Sequence, residues 1–210
     1  MNSRGQAGFW IIPEGLYPSQ GDHVDLERLF KKAEWETLTP SELEEVARAI
    51  ASPNPGDLYQ LLHILGRAGS PAYKAQVEKF LHCPDDPQRS ALVLKILCRW
   101  WGLFDQYRND VMAFLRGVDW DDWGYVRLQA LSLAGEHLRE HQDNEMLRIV
   151  YQTYADRSHR PLLRSAAYSA LCRSEGLAWA DLPSAAQVID LSKEVDPSVI
   201  SRIEEKLRSG

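Results

Sequence analysis

Tyr125-Val126-Arg127-Leu128-Gln129-Ala130-Leu131, running on to Ala134-Gly135-Glu136, is the stretch whose reading decides the fold. Its apolar residues recur at helical spacing, small residues sit among them, and one Arg stands near the start. The same order of residue types returns on either side. Upstream it is Asp86-Pro87-Gln88-Arg89-Ser90-Ala91-Leu92, continuing to Ile96-Leu97-Cys98-Arg99. Downstream it is Leu162-Leu163-Arg164-Ser165-Ala166-Ala167-Tyr168, continuing to Ala170-Leu171-Cys172-Arg173. Arg89, Arg127 and Arg164 stand 38 and 37 residues apart, and Arg99, Glu136 and Arg173 stand 37 apart. A degenerate fourth copy spans Leu58 to Gly69, where Ile64-Leu65-Gly66-Arg67 echoes Ile96-Leu97-Cys98-Arg99.

Between these copies lie second helices with stripes of their own. Val77, Phe80 and Leu81 mark one over Ala72 to Leu81. Val111, Met112, Phe114 and Leu115 mark another over Tyr107 to Leu115. Met146, Leu147, Ile149, Val150 and Tyr154 mark a third over Glu145 to Tyr154. A unit of helix, turn and helix at fixed period is the signature of an α-solenoid. The spacing therefore predicts an all-α chain: a short right-handed solenoid of about four helix pairs. After residue 12 there is no alternating β-branched run and no Asn-Gly or Asp-Gly hairpin.

The Asp or Pro near the start, the Val-Arg or Leu-Arg, and the small and aliphatic residues that follow resemble the HEAT-repeat superfamily. Here they stand as Asp86-Pro87 with Arg89, Val126-Arg127 with Ala130, and Leu163-Arg164 with Ala167. The resemblance covers about residues 55 to 207 and implies HEAT-like helix pairs; it implies no chemistry. The period is shorter than the usual HEAT unit. A tetratricopeptide-like stack stays open as an alternative, although the Trp-Leu-Gly-Tyr landmarks of that repeat are missing.

Working outward, Asp25 to Trp35 presents Leu26, Leu29, Phe30 and Ala33 on one helical face. Thr39-Pro40-Ser41-Glu42 reads as a capping box opening the next helix, which Ser52-Pro53-Asn54-Pro55-Gly56 ends. Residues 1–39 are read as an N-terminal segment with a first helix, and 40–210 as the solenoid. Phe9, Trp10, Ile11 and Ile12 are expected to pack on the first helices, with a short edge strand as the alternative. At the other end Ala185 to Leu191 reads as a short helix. Asp196-Pro197-Ser198 opens another with Val199, Ile200, Ile203 and Leu207 on its apolar face, a helical C-terminal cap.

The 210 residues suffice for a core without disulfides or metals, and 44% hydrophobic with 26% charged residues is globular usage. Lys plus Arg number 24 against 30 Asp plus Glu, a net charge of −6, which disfavours a general nucleic-acid binder. The second helices mix signs (Lys74, Lys79, Arg108, Asp110, Arg116, Glu145, Arg148, Asp156), so no cationic stripe follows them. Three Cys do not make a secreted disulfide framework, and Cys98 and Cys172 fall in apolar helical runs as core thiols. No segment is long and apolar enough to span a membrane, and Met1 to Ile12 lacks the apolar length and cleavage site of a signal peptide. A cytoplasmic location is the expectation.

No phosphate loop, nucleophile elbow or Cys-x-x-Cys occurs, so neither a catalytic set nor a cofactor is expected. His137-Leu138-Arg139-Glu140-His141 matches His-x-x-Glu-His, which makes His137 and His141 weak candidates for zinc. Their place in the last turn of a repeat helix also suits the helix dipole. Asp119-Trp120-Asp121-Asp122-Trp123-Gly124-Tyr125 packs three carboxylates and three aromatics between two repeats. One reading is a helix cap, by Asp121 or Asp122, with a Trp-lined seam. The other is a partner-binding hot spot of Asp119, Trp120, Asp121, Asp122, Trp123 and Tyr125, with Trp101 nearby. The resulting expectation is a non-catalytic protein-binding module, resembling small acidic HEAT-like immunity proteins that neutralise a basic toxin domain. The alternatives are a HEAT-like scaffold or regulatory protein, and a HEAT-like nucleic-acid glycosylase or zinc hydrolase.

Overall fold

The computed structural model describes residues 25–53, 55–68, 70–182 and 190–209. Phe9, Trp10, Ile11 and Ile12 lie outside the described residues, as does nearly all of the expected helix from Ala185; its last residue, Leu191, lies in a turn. Among the described residues the chain is all-α, without a strand. The helices are α1 (Leu26–Trp35), α2 (Pro40–Ala51), α3 (Leu58–Arg67), α4 (Lys74–Val77), α5 (Pro87–Lys95), α6 (Arg108–Arg116), α7 (Tyr125–Glu140), α8 (Asn144–Ala155), α9 (Pro161–Ser174) and α10 (Pro197–Ser209).

Short polar side chains start these helices. Asp25, Asp57, Asp86 and Asp143 each accept a backbone N–H three residues on, filling a donor that the first turn leaves open. At α2 the capping box forms as the Thr39 to Glu42 spacing predicts. Glu42 does more than cap. Its carboxylate accepts from the Thr39 N–H at 2.8 Å, and from Lys32 Nζ and Arg28 Nη1 of α1, each at 2.8 Å. The Lys32 ammonium first, then the Thr39 amide and Arg28, hold this carboxyl well below the usual range. A depressed folded value means that the α1–α2 tie is fully present above the ordinary Glu value of about 4.3 and is lost as pH falls through the folded value. An NMR titration should place the Glu42 midpoint below about 4.3; a midpoint at or above it would contradict the tie.

The helices pack in two rows. α1, α3, α5, α7 and α9 touch in that order. α6, α8 and α10 touch in turn on the other side, with α8 against both α7 and α9. Leu61, Leu65, Leu94, Leu97, Leu131 and Leu171 belong to the fully buried core between the rows. Gly135 of α7 lies so close to α9 that a Cβ there would stand 2.8 Å from the Ala170 Cα, so the two helices meet at their backbones. Near this contact Arg99 and Arg173 both reach Glu136, at 2.6 Å and 3.1 Å. The three residues 37 apart in sequence thus form one ion-paired line across α5's extension, α7 and α9.

Two helices differ from their expected form. The run expected over Ala72 to Leu81 is one α turn between two 3₁₀ turns, Pro71–Tyr73 and Glu78–Phe80. The helix expected to run regularly through Arg99 widens after Lys95 into a π turn, Ile96–Trp100, where the Trp101 N–H reaches back to the Ile96 carbonyl at 2.9 Å. The turn packs on α3 at a glycine: a Cβ at Gly66 would stand 2.5 Å from Ile96 Cγ1 and 2.7 Å from the Trp100 ring, and the buried Trp101 donates its Nε1–H to the Gly66 carbonyl at 3.1 Å.

Candidate protein-binding edge

α6 ends at Gly117, which takes the positive φ of 97° that a side chain resists. The loop that follows carries the acidic-aromatic cluster back to the start of α7. Asp121 fastens it. Its Oδ2 accepts the N–H groups of Val126 at 2.9 Å and Arg127 at 3.0 Å, so it caps α7 from outside the usual cap position. The cap position itself is Gly124 at φ 78°, with the Leu163 side chain 3.3 Å from where a Cβ would stand. A non-glycine residue would meet both the backbone penalty and α9.

Between these fasteners the aromatic residues part company. Trp120 is half-buried, edge-on to Phe114 of α6 with ring centroids 6.0 Å apart and planes at 82°. Trp123 is 70% exposed and Tyr125 39% exposed. Asp119 and Asp122 are exposed beside them. The Arg160 guanidinium lies 5.4 Å from the centre of the Trp123 ring, a cation–π contact. A cleft of about 240 Å³ runs under this loop, lined by Val118, Asp122, Trp123, Ser158, Arg160 and Leu163 among others.

The structure therefore brings Asp119, Trp120, Asp122, Trp123 and Tyr125 to one edge. Two of the seven expected contact residues are not available there. Asp121 is only 9% exposed and spent on the α7 cap; Trp101 is 7% exposed and spent on Gly66. Arg160 belongs to the edge although no local motif marks it. It stands 37 residues after Trp123, the spacing at which Arg127 and Arg164 recur, and that spacing was the available signal.

The histidine pair takes a form poorly matched to zinc. The rings of Phe104, His137 and His141 stack nearly parallel, with centroids 4.2 Å and 4.5 Å apart. Imidazole lone pairs lie in the ring plane, so parallel stacked rings do not aim two nitrogens at one point between them. His141 Nδ1 instead lies 3.2 Å from the His137 carbonyl oxygen. Among the described residues, no three His, Cys, Asp or Glu side chains are grouped to hold a metal ion. Burial first, then His141, pushes the His137 pKa down.

On the second helices the cations are largely matched by acids. Lys74 meets Glu78, Arg108 meets Asp143 and Glu145, and Arg116 meets Glu145. Such pairs leave little positive charge to track a phosphate backbone. Cys98 and Cys172 are buried, and burial pushes the Cys98 thiol up to about 12, which keeps it protonated and unreactive. No helix among the described residues is long and apolar enough to cross a membrane. No protein-family model, curated protein or solved structure matches the chain.

Proposed function

We propose that the chain is a HEAT-like right-handed α-solenoid of about four helix pairs with a helical C-terminal cap, acting as a non-catalytic protein-binding module. The observation that carries this reading is the exposed Trp123, held on a fastened loop between exposed Asp119 and Asp122 with Tyr125 alongside. A large aromatic on a rigid support loses little conformational freedom on binding, and Trp and Tyr dominate interface hot spots. The flanking carboxylates and the net charge of −6 suit a basic protein partner, captured quickly and with strong salt dependence. The most specific form of the proposal is an immunity protein that covers a basic toxin domain in the cytoplasm. The succession of α5, α7 and α9, tied through the Arg99–Glu136–Arg173 line, supports the repeat reading.

The experiment is capture from lysate of the source cells, with wild-type chain and Trp123→Ala as baits, at low and high salt. The expected result is one basic protein held in stoichiometric amount by wild-type chain. Its affinity should fall by about thirtyfold or more in Trp123→Ala, the scale of a hot-spot deletion. A partner held equally by both baits would remove this edge from the reading. Absence of any specific partner at either salt would defeat the binding role.

A further inference from the structure

His159, in the loop between α8 and α9, stands where two clefts meet. It lines the cleft of about 240 Å³ under the Trp123 loop and a larger one of about 730 Å³ beside α8, and Arg127 of α7 lines both with it. Arg127 Nη2 lies 3.3 Å from His159 Nε2 and 3.2 Å from Thr153 Oγ1. Chemistry fixes the roles in these contacts. A guanidinium carries only donors, so both partners must accept. Thr153 can, because its own proton goes to the Ile149 carbonyl at 2.9 Å. His159 can only as the neutral ring with its proton on Nδ1, since a protonated Nε2 has no lone pair to offer.

The same nitrogen has a second neighbour. Asp156 Oδ2 lies 3.8 Å from Nε2, just beyond hydrogen-bond reach, while Asp156 Oδ1 accepts the Ser158 N–H at 2.8 Å. Arg127 and Asp156 thus make opposite demands on one atom. The guanidinium needs a lone pair there; the carboxylate needs a proton. Burial first, then Arg127, pushes the His159 pKa down, with Asp156 opposing and Arg164 of α9 adding to the push. The other charged groups around the two clefts are engaged elsewhere. Arg116 of α6 is paired with Glu145, Asp121 caps α7, and Arg160 lies on Trp123.

We infer that His159 is a proton-operated latch on the Trp123 edge: taking up a proton moves its Nε2 from Arg127 to Asp156. Bringing Nε2 and Asp156 into hydrogen-bond range takes a shift of about 1 Å, and the clefts on either side give the ring room. The change is felt at both ends. Arg127 Nε is already buried without an acceptor, so losing His159 leaves the half-buried guanidinium with Thr153 alone, an unfavourable state. Arg160 follows His159 directly in the chain and stands 5.4 Å from the Trp123 ring centre, so movement of the latch passes to the indole. The edge is held in its present form by neutral His159 and released in mild acid. That consequence for binding rests on the Trp123 edge being the binding surface; the latch itself is tested without a partner.

The sign of the pH dependence follows from the lowered folded value, because the unfolded chain binds the proton more readily. The stability that this contact contributes is complete above the ordinary histidine value of about 6.5, and declines as pH falls from there to the folded value.

The test is an NMR titration of the full chain through the histidine range, following the His159 ring nitrogens and the Trp123 indole N–H. At neutral pH the His159 proton should sit on Nδ1, and its midpoint should lie below about 6.5. Arg127→Gln should raise that midpoint and Asp156→Asn should lower it further. The Trp123 indole signal, identified by its loss in Trp123→Phe, should move with the His159 midpoint. It should stay fixed over the same range in His159→Gln, which keeps an acceptor for Arg127 but cannot titrate. A proton on Nε2 at neutral pH would overturn the inference, as would a midpoint at or above about 6.5. So would a Trp123 signal that ignores the His159 transition, or one that still titrates in His159→Gln. The wild-type readings stand without any variant, so a substitution that failed to fold would leave the test intact. Because no partner enters it, failure of the latch and failure of the lysate capture are separate results.

Discussion

Phe114→Ala is expected to destabilise the chain by about 3–5 kcal/mol, the range for deleting a fully buried aromatic. Phe114 is 1% exposed and is among the largest fully buried side chains of the core. Part of the loss is transfer free energy, and part is the cavity left where α6 packs on α7. For a chain of this length the melting temperature should fall by roughly 6–20 °C. The effect should reach the proposed binding edge as well. Phe114 supports Trp120 edge-on on one side and His82 at 5.3 Å on the other. Removing the ring frees the Trp120 indole and loosens the loop that presents Trp123, which tryptophan emission would register as a red shift. Phe114→Leu keeps most of the volume and should lose much less. A melting temperature for Phe114→Ala within a degree or two of wild type would show that the core does not depend on this ring.

Replacement of Gly135 is the second severe case, and here two effects oppose each other. Alanine is a better helix former than glycine by about 0.8–1.0 kcal/mol. Against that, the new Cβ would stand 2.8 Å from the Ala170 Cα and 3.2 Å from its carbonyl oxygen. Both atoms are backbone, so no rotamer change relieves the contact and α9 itself must shift. Overpacking of this kind costs about 1–3 kcal/mol and more for larger residues. Gly135→Ala should therefore be a net loss despite its propensity, and Gly135→Leu should lose more than about 3 kcal/mol. Urea midpoints across wild type, Ala and Leu would order the series. Equal or higher stability of Gly135→Ala would mean that α7 and α9 separate easily, and that the Glu136 line does not hold them.

Several particulars explain how far the sequence could be read. The 37-residue recurrence depends on which residue types can be buried at helical spacing, and that is local information. The helices α5, α7 and α9 appear where Arg89, Arg127 and Arg164 anchor the copies, and Thr39 and Glu42 form the cap that their spacing implies. The π turn was not legible, because Ile96 to Trp100 carries an ordinary helical pattern. The glycine it packs on, Gly66, lies on another helix. The acidic-aromatic cluster was legible as a group but not in its division of labour. Asp121 and Asp122 are adjacent and chemically identical, and only the approach angle of α7 decides which one caps.

Helix positions, repeat spacing and the apolar faces follow from the order of residues alone, because each depends on neighbours within a few turns. Which tryptophan is buried, which carboxylate is consumed by a cap, and which nitrogen of a histidine must accept depend on partners from other elements. Arg160 comes to Trp123 from 37 residues away, and Arg127 of α7 reaches His159 from 32 residues away. Side-chain exposure and charge balance are properties of the packed rows, and they set the edge and the latch on which the two proposals rest.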